Sequence, residues 1–387
     1  MATKESLLPL KMLLFSFHAA NTIILSFLPL YLAYKGLNGT EIGWVLAIGP
    51  LASIFAQPFW GYMSDKYKSV KKSLLYCVIG LLIFSTLFFQ MSGLIPIMFM
   101  GALFYFFTSP IGGLGDSLAQ RRANDIGISF GTIRTWGSIG FAISSLIIGK
   151  TLSTYGVQHM IWPYLFFGFI ALLVVLRLKD VKVESAPVKL KDVGILMKNK
   201  SFLFFLMAIV FLSVAHRTND SFIGLYISEL GGSEALVGLG WFVGVASEAL
   251  IFAFAGFWFR KFHPLFFVMI AGILYSIRWF IYGLADDPMF VIGLQFLHGL
   301  TFGIFYLAAL DYVTRLIPKS LQSTGHLVYY AVFFGISGII GSLGGGAIMD
   351  HFGGGTLYYI LGFISLAGTI SIFIYHVAFS GRRAIQR

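Results

Sequence analysis

The feature that most constrains the fold of this chain is a series of twelve long apolar segments separated by short polar stretches. A membrane-spanning helix needs about 20 consecutive, mostly apolar residues. Segments of this kind lie at about 10–34, 42–63, 73–91, 94–119, 131–151, 160–177, 202–227, 235–258, 263–284, 288–314, 325–349 and 357–379. Because backbone polar groups find no water in the hydrocarbon core, each segment is expected to be helical. The sequence therefore predicts an all-α membrane protein with twelve transmembrane helices.

The composition of the chain excludes an ordinary soluble protein. Of its 387 residues, 58% are hydrophobic and only 11% are charged, whereas a soluble domain carries about 25% charged residues. The first apolar segment is too long for the h-region of a signal peptide, so we expect it to be a retained helix. The single cysteine, Cys77, lies inside an apolar segment and has no second cysteine with which to form an intramolecular disulfide.

The basic residues indicate how the chain is oriented in the membrane. Most of the 27 Lys and Arg residues fall in the terminal stretches and in alternate loops, whereas the intervening loops hold only Lys35 and Lys150. Cytoplasmic loops of membrane proteins carry an excess of Lys and Arg. We therefore predict that both termini and the basic loops are cytoplasmic, in the inner membrane of a cell. The net charge of +11 is then explained by topology, which argues against nucleic acid as a partner.

The chain also divides into two related halves. Its longest loop, residues 179–200, separates a predicted N-terminal six-helix bundle, 1–178, from a C-terminal six-helix bundle, 201–387. The segment from Gly61 to Lys66 after the second helix has a weaker counterpart from Gly256 to Lys261 after the eighth. Many secondary transporters are built from such internal repeats, with the solute site near the midplane between them. The repeat therefore favours solute transport.

Three motifs resemble a known family. The segment Gly61-Tyr-Met-Ser-Asp65-Lys66, followed by Lys71-Lys72, resembles the loop signature of the major facilitator superfamily. Phe130-Gly-Thr-Ile-Arg134-Thr-Trp-Gly-Ser-Ile-Gly-Phe141 resembles the fifth helix of lactose permease and of the phenylpropionate-permease-like branch. The tenth helix of that branch is similar to Leu297-His298-Gly-Leu-Thr301-Phe-Gly303. The resemblance implies the superfamily fold, alternating access and a proton gradient as the energy source, without a bound cofactor.

Asp116 and Arg134 are the first candidate pair for a solute site. A charge at the bilayer centre costs about 2.5–3.5 kcal/mol, so each needs a partner or a wet cavity. The two residues flank one short basic loop at similar distances and are expected to meet. The resemblance to lactose permease implies that they bind sugar hydroxyls, with Phe141 at the position of a sugar-stacking Trp. The pair also suits a carboxylate solute if the acid moves away, and the alternative to both is a structural interhelical ion pair.

Glu248 is the best candidate for a proton-binding carboxylate. It lies in the middle of an apolar segment without a basic neighbour in sequence, and burial favours the protonated form of a carboxyl group. Arg278 on the predicted ninth helix is the expected partner, and it aligns with an arginine of the family. The alternative is a permanently paired structural acid.

Two further residues are candidates for solute binding by resemblance. Asp220 matches an acidic position on the seventh helix of lactose permease, and Arg217, three residues earlier, shares its helix face and could neutralise it. His298 aligns with a histidine of the permease, the alternative being an ordinary polar residue with satisfied hydrogen bonds. Thr301 stands where that permease has its proton-relay acid, which shifts proton coupling to Glu248, Asp116 or Asp220.

Gly61, Asp65 and Lys66 are interpreted as gating residues. A carboxylate near helix N-termini and basic loop residues can hold the cytoplasmic side shut and release it when the halves rock. The alternative is that these charges only fix the topology.

The function predicted from the sequence is proton-coupled import of a small organic solute, which is a sugar or glycoside, a nucleoside or an aromatic acid. The expected partners are that solute, protons and the lipid bilayer, and the expected oligomeric state is a monomer. A proton-driven efflux antiporter is the alternative within transport. A membrane enzyme and a transport-inactive sensor are remote alternatives, because the sequence has no metal, nucleotide or Ser/His/Asp motif and no sizeable soluble domain.

Overall fold

The regular structure of the chain is helical throughout the residues that the computed structural model describes, which are 7–180, 190–318 and 321–380. The α-helices are α1 (Leu8–Tyr34), α2 (Gly39–Lys66), α3 (Val70–Gln90), α4 (Leu94–Asp125), α5 (Gly131–Tyr155), α6 (Ile161–Arg177), α7 (Leu190–Leu196), α8 (Lys200–Glu229), α9 (Glu234–Trp258), α10 (Pro264–Gly283), α11 (Pro288–Gly293), α12 (Ile304–Leu316), α13 (Gln322–Tyr330) and α14 (Ser337–Ser380). Two π-helical segments, Gly299–Gly303 and Ala331–Ile336, interrupt the later helices. The all-α prediction is confirmed.

Ten helical stretches in the described part of the chain are long and apolar enough to cross a membrane, judged by length and composition alone. Helix α5 is not among them, although it has 25 residues, because its Gly, Ser and Thr residues make it less apolar. The stretch Thr324–Ala378 counts as one of the ten and is 55 residues long. It contains the predicted segment 325–349 and all but the last residue of the predicted segment 357–379. The number of twelve crossings therefore stays a prediction, as does the cytoplasmic position of the termini.

Helix α14 reverses its direction at Gly353. This residue has a left-handed φ of +79°, which glycine adopts without a steric penalty. The side chain of Glu229 accepts the backbone N–H of Gly354, with oxygen–nitrogen distances of 3.1 and 3.0 Å. Residues of α14 before Gly353 contact α8 progressively closer to its C-terminal end, and residues after Gly353 contact it progressively closer to its start. In chain order these contacts join Gly341 with Val214, Gly345 with Phe222, Tyr358 with Asn219, and Gly368 with Phe211.

The contacts within the chain define two compact units. The first comprises Met1–Pro187 together with Ser233–Phe242, and the second comprises Val188–Gly232 and Val243–Arg387. The first turns of α9 thus belong to the first unit. The functional division into halves at 179–200 stays a prediction.

Within the first unit, helices α1 and α5 approach each other closely at Gly140. A Cβ atom added to this glycine would lie 2.9 Å from the Cα atom of Phe15 and closer still to the Phe15 carbonyl oxygen. Backbone atoms cannot move aside as a flexible side chain can. The absence of a side chain at Gly140 therefore sets how near α5, which carries Arg134, lies to α1.

We expect Gly140→Ala to lower the thermal stability of the purified protein. Overpacking of this kind typically costs about 1–3 kcal/mol. The matched control is Gly113→Ala on α4, where an added Cβ would meet nothing within 4 Å. The unfolding midpoints of both variants are measured in the same detergent. Equal midpoints for the two variants would contradict the close approach of α1 and α5.

Candidate functional site

The first unit holds the predicted ion pair between α4 and α5. Arg134 Nε lies 3.3 Å from Asp116 Oδ1, and about a third of each side chain is exposed, 33% and 37% respectively. The Asp116 oxygen makes no hydrogen bond of good geometry to any described residue. The short connection between the two helices brings the charges together, as the sequence predicts. The pair therefore retains unused donor and acceptor capacity for a solute.

His18 on α1 is a third polar residue beside this pair and was not among the predicted site residues. The His18 ring carbon Cδ2 and the Arg134 Nη1 atom lie 2.5 and 2.7 Å from the position that a Cβ on Gly137 would occupy. Its Nε2 atom is buried without a hydrogen-bond partner among the described residues. The signal that could have found it is a histidine inside an apolar segment, because polar residues in membrane helices are costly and often functional.

Phe141 lies on α5 and packs inside the first unit. Its side chain is buried, and its ring meets the Trp241 ring edge-on, with centroids 5.8 Å apart and an interplanar angle of 62°. The Phe141 carbonyl oxygen accepts the hydroxyl of Thr22 at 3.2 Å. A stacking role towards a solute stays a prediction.

In the second unit, Glu248 pairs with His298 and not with the expected Arg278. His298 Nε2 lies 3.6 Å from Glu248 Oε2, and His298 is the one ion-pair partner that Glu248 has in the described part of the chain. The histidine is almost fully buried, whereas 22% of the glutamate side chain is exposed. The structure thus joins two predicted site residues that had been assigned separate roles.

Arg278 is instead held by neutral polar groups. It is completely buried, donates to Thr301 Oγ1 at 3.1 Å and to the Tyr282 hydroxyl at 3.0 Å, and also donates to Gln295 Oε1. Its guanidinium lies over the Trp279 ring, 4.7 Å from the ring centre. Because these groups occupy its donors, Arg278 is unavailable to Glu248. The predicted Glu248–Arg278 pair is wrong for this structure, and a role of Arg278 in coupling stays a proposal.

Asp220 on α8 has two cationic or titratable neighbours on its own helix. Arg217 Nη1 lies 2.9 Å from Asp220 Oδ2, as the three-residue spacing predicts, and His216 Nε2 lies 3.3 Å from the same oxygen. His216 was not selected as a site residue. It is one turn from Asp220, a spacing that places both on one helix face.

The predicted gating residues lie on the last turns of α2, which ends at Lys66. The prediction that this segment follows the second helix is wrong, since the helix continues through Gly61 and Asp65. A Cβ added at Gly61 would meet nothing within 4 Å inside its own unit. Lys66 is exposed and Asp65 is partly exposed. Their gating role stays a prediction.

Long apolar helices with charged residues held inside them are typical of integral membrane proteins, and similarity to known proteins gives the family. The model of the MFS_1 like family matches residues 7–360. The chain therefore belongs to this family of major facilitator superfamily transporters, which confirms the superfamily predicted from the three motifs.

Two curated relatives and one solved structure are similar over most of their length. Maltose permease of Geobacillus stearothermophilus is 27% identical over 87% of this chain and 86% of that protein. The probable 3-phenylpropionic acid transporter of Escherichia coli is 26% identical over 91% and 93%. The crystal structure of the nucleoside transporter NupG matches with a TM-score of 0.86 and 17% identity, covering 95% of this chain and 98% of that one. At that identity the structural match shows the fold alone.

Proposed function

We propose that this transporter is a proton-coupled symporter that imports a small, neutral, hydroxylated solute such as a sugar or a nucleoside. The observation that carries the proposal is the Asp116–Arg134 pair with its unused hydrogen-bonding capacity. A guanidinium only donates and a carboxylate only accepts, whereas a hydroxyl does both. A pair of neighbouring hydroxyls therefore satisfies Arg134 and Asp116 together, with His18 Nε2 beside them.

An aromatic acid fits this pair less well. Its carboxylate would bind Arg134 but would also meet the negative charge of Asp116, which has no second cation among its described ion-pair partners. The names of the relatives do not decide between the two classes, since one is a maltose permease and another a probable 3-phenylpropionic acid transporter, so the proposal rests on the chemistry of the pair.

The proton is assigned to Glu248 with His298. A carboxylate and an imidazole at 3.6 Å can exist as an ion pair or take up one further proton, which changes the net charge of the second unit. Solute and proton fluxes are linked if proton binding changes the affinity for the solute, and the reverse then holds equally. Alternating access between the halves 1–178 and 201–387, with Gly61, Asp65 and Lys66 as cytoplasmic gate, completes the proposed cycle. It runs in the inner membrane without a bound cofactor and as a monomer.

The test is a thermal-shift panel on the purified protein with maltose, uridine and 3-phenylpropionate. We expect maltose or uridine to raise the unfolding midpoint, because a ligand at 100 times its Kd stabilises the folded state by about 2.7 kcal/mol. Asp116→Asn is the matched variant and should lose the shift. A shift with 3-phenylpropionate alone would contradict the neutral class.

The direction and the proton are tested with the stabilising solute. Adding it to a weakly buffered suspension of expressing cells should make the medium more alkaline while labelled solute accumulates inside. Lower accumulation than in cells without the protein would favour efflux instead.

A further inference from the structure

His216 occupies an unusual position in the second unit, between two π-helical segments. Its ring is buried and stacks on Phe302, with centroids 4.4 Å apart and an interplanar angle of 5°, and the Phe333 ring lies 5.9 Å away. Phe302 belongs to Gly299–Gly303 and Phe333 to Ala331–Ile336. Isolated π turns within helices are rare and often occur at functional sites. Here both of them contact the same histidine.

The two ring nitrogens of His216 have different partners. Nε2 lies 3.3 Å from Asp220 Oδ2, and Nδ1 lies 3.1 Å from the Tyr275 hydroxyl. Because an ionised carboxylate can only accept, Nε2 carries the hydrogen in the neutral ring, and Nδ1 accepts from Tyr275. The other oxygen of Asp220, Oδ1, is buried without a hydrogen-bond partner in the described residues. The imidazole and the carboxylate thus form a second pair of the same kind as His298 with Glu248.

The two pairs are neighbours. The ring centres of His216 and His298 lie 5.6 Å apart, so the groups follow one another in the order Glu248, His298, His216 and Asp220. Two imidazolium ions at this separation in a poorly hydrated interior repel each other strongly. Titrating groups that interact in this way take up their protons in successive steps, because a proton on one ring hinders protonation of the other.

Other groups around His216 decide how readily it takes a proton. The charged groups beside it are Asp220, whose carboxylate lies 3.3 Å from Nε2, and the cations Arg217 on its own helix and Arg278 on α10. The π-helical segment Ala331–Ile336 contributes the uncharged ring of Phe333. The groups that face His216 from each packed element are Arg217 and Asp220 from α8, Tyr275 and Arg278 from α10, His298 and Phe302 from the stretch before α12, and Phe333.

We propose that His216 and Asp220 form a second proton-binding pair, coupled to Glu248 and His298 by repulsion between the two imidazole rings, so that one pair loads as the other empties. The inference rests on the proposed proton site at Glu248 and extends it. The proton stays on ring nitrogen or carboxylate oxygen throughout, and no bond other than N–H or O–H changes. The coupling gives the carrier a place to hold a proton that leaves Glu248 before it reaches water.

The test uses infrared difference spectra of the lipid-reconstituted protein during pH steps, without any solute. The Glu248 carboxyl signal is identified by its loss in Glu248→Gln. In His216→Gln that signal should titrate about one pH unit higher, a tenfold gain in proton affinity, because residue 216 can no longer take up a competing proton and become a second cation. By the same repulsion, His298→Gln should raise the pH at which the Asp220 signal, identified by its loss in Asp220→Asn, titrates, because His298 lies 5.6 Å from His216. This second measurement still tests the coupling if His216→Gln does not fold.

The matched control is Asp311→Asn on α12. Asp311 pairs with Arg315 at 2.7 Å and lies outside both pairs, so the Glu248 signal should keep its wild-type midpoint. A Glu248 signal that titrates at the wild-type pH in His216→Gln overturns the coupling while leaving the proposed function intact. A wild-type protein without any titrating Glu248 signal overturns the proposed proton site, and the coupling with it.

Discussion

Arg134→Ala is expected to abolish concentrative uptake of the solute identified by the thermal-shift panel. The substitution removes the donors that face the solute and leaves Asp116, 3.3 Å away, as an uncompensated negative charge. A single hydrogen bond to a charged group contributes about 1.5–3 kcal/mol, equivalent to roughly 10- to 150-fold in affinity. With more than one such bond lost, uptake should fall below detection. The measurement is the initial rate of entry of the labelled solute, normalised to the amount of protein in the membrane.

Two companion variants distinguish recognition from folding. Asp116→Asn should abolish concentrative uptake in the same way, because the amide has no negative charge to pair with Arg134 and replaces one of the two acceptor oxygens with a donor. Arg134→Lys keeps the charge but loses the planar fork, so an intermediate rate is expected. Both should insert normally into the membrane. Undiminished uptake by Arg134→Ala at equal protein levels would contradict the assignment of this site.

Glu248→Gln is expected to uncouple the solute flux from the proton flux. The amide has almost the same size as the carboxyl group but cannot load a proton, and His298 at 3.6 Å loses its negative partner. Exchange of labelled for unlabelled solute across the membrane needs no net proton movement and should persist. Alkalinisation of the medium on addition of the solute should disappear. Both are recorded on the same cells.

The control for this second prediction is again a carboxylate outside the site. Asp311→Asn removes one negative charge from the same unit and should retain both exchange and alkalinisation. Retained alkalinisation in Glu248→Gln would rule out Glu248 as the coupling residue and shift that role to Asp220 or Asp116.

The Asp116–Arg134 contact was predictable because few degrees of freedom separate the two residues. They lie on consecutive helices joined by a short loop, so helix geometry alone brings them to similar depth. The partner of Glu248 was not predictable in this way. Its choice depends on how three stretches distant in sequence are rotated, and the π turn at Gly299–Gly303, directly after His298, changes the helical register there. Gln295 and Thr301 then bind Arg278, which periodicity alone does not reveal.

The positions of the helices were also only partly predictable from the sequence. The apolar segments located most of the helices, because the length of an apolar stretch reports burial in lipid. The polar end of α2 was misplaced, since Gly61 to Lys66 is helical although it is not apolar. His18 and His216 escaped selection for a different reason. His18 lies in an otherwise apolar stretch, and only the packing shows that it is beside Arg134. The four-residue spacing of His216 and Asp220 was visible in the sequence, but the contacts of its ring with Tyr275 and His298 were not.

The turn at Gly353 decides whether the predicted number of membrane crossings is odd or even. A chain that crosses an even number of times ends on the side where it began, and every reversal adds one crossing. The turn at Gly353 has almost no loop, so its two arms read as a single apolar stretch of 55 residues. Without the left-handed φ of this one residue, the chain would make one crossing fewer than the predicted twelve, and its C-terminus would lie opposite the side that its basic residues predict. The predicted sidedness of the C-terminus therefore depends on the backbone freedom of one glycine.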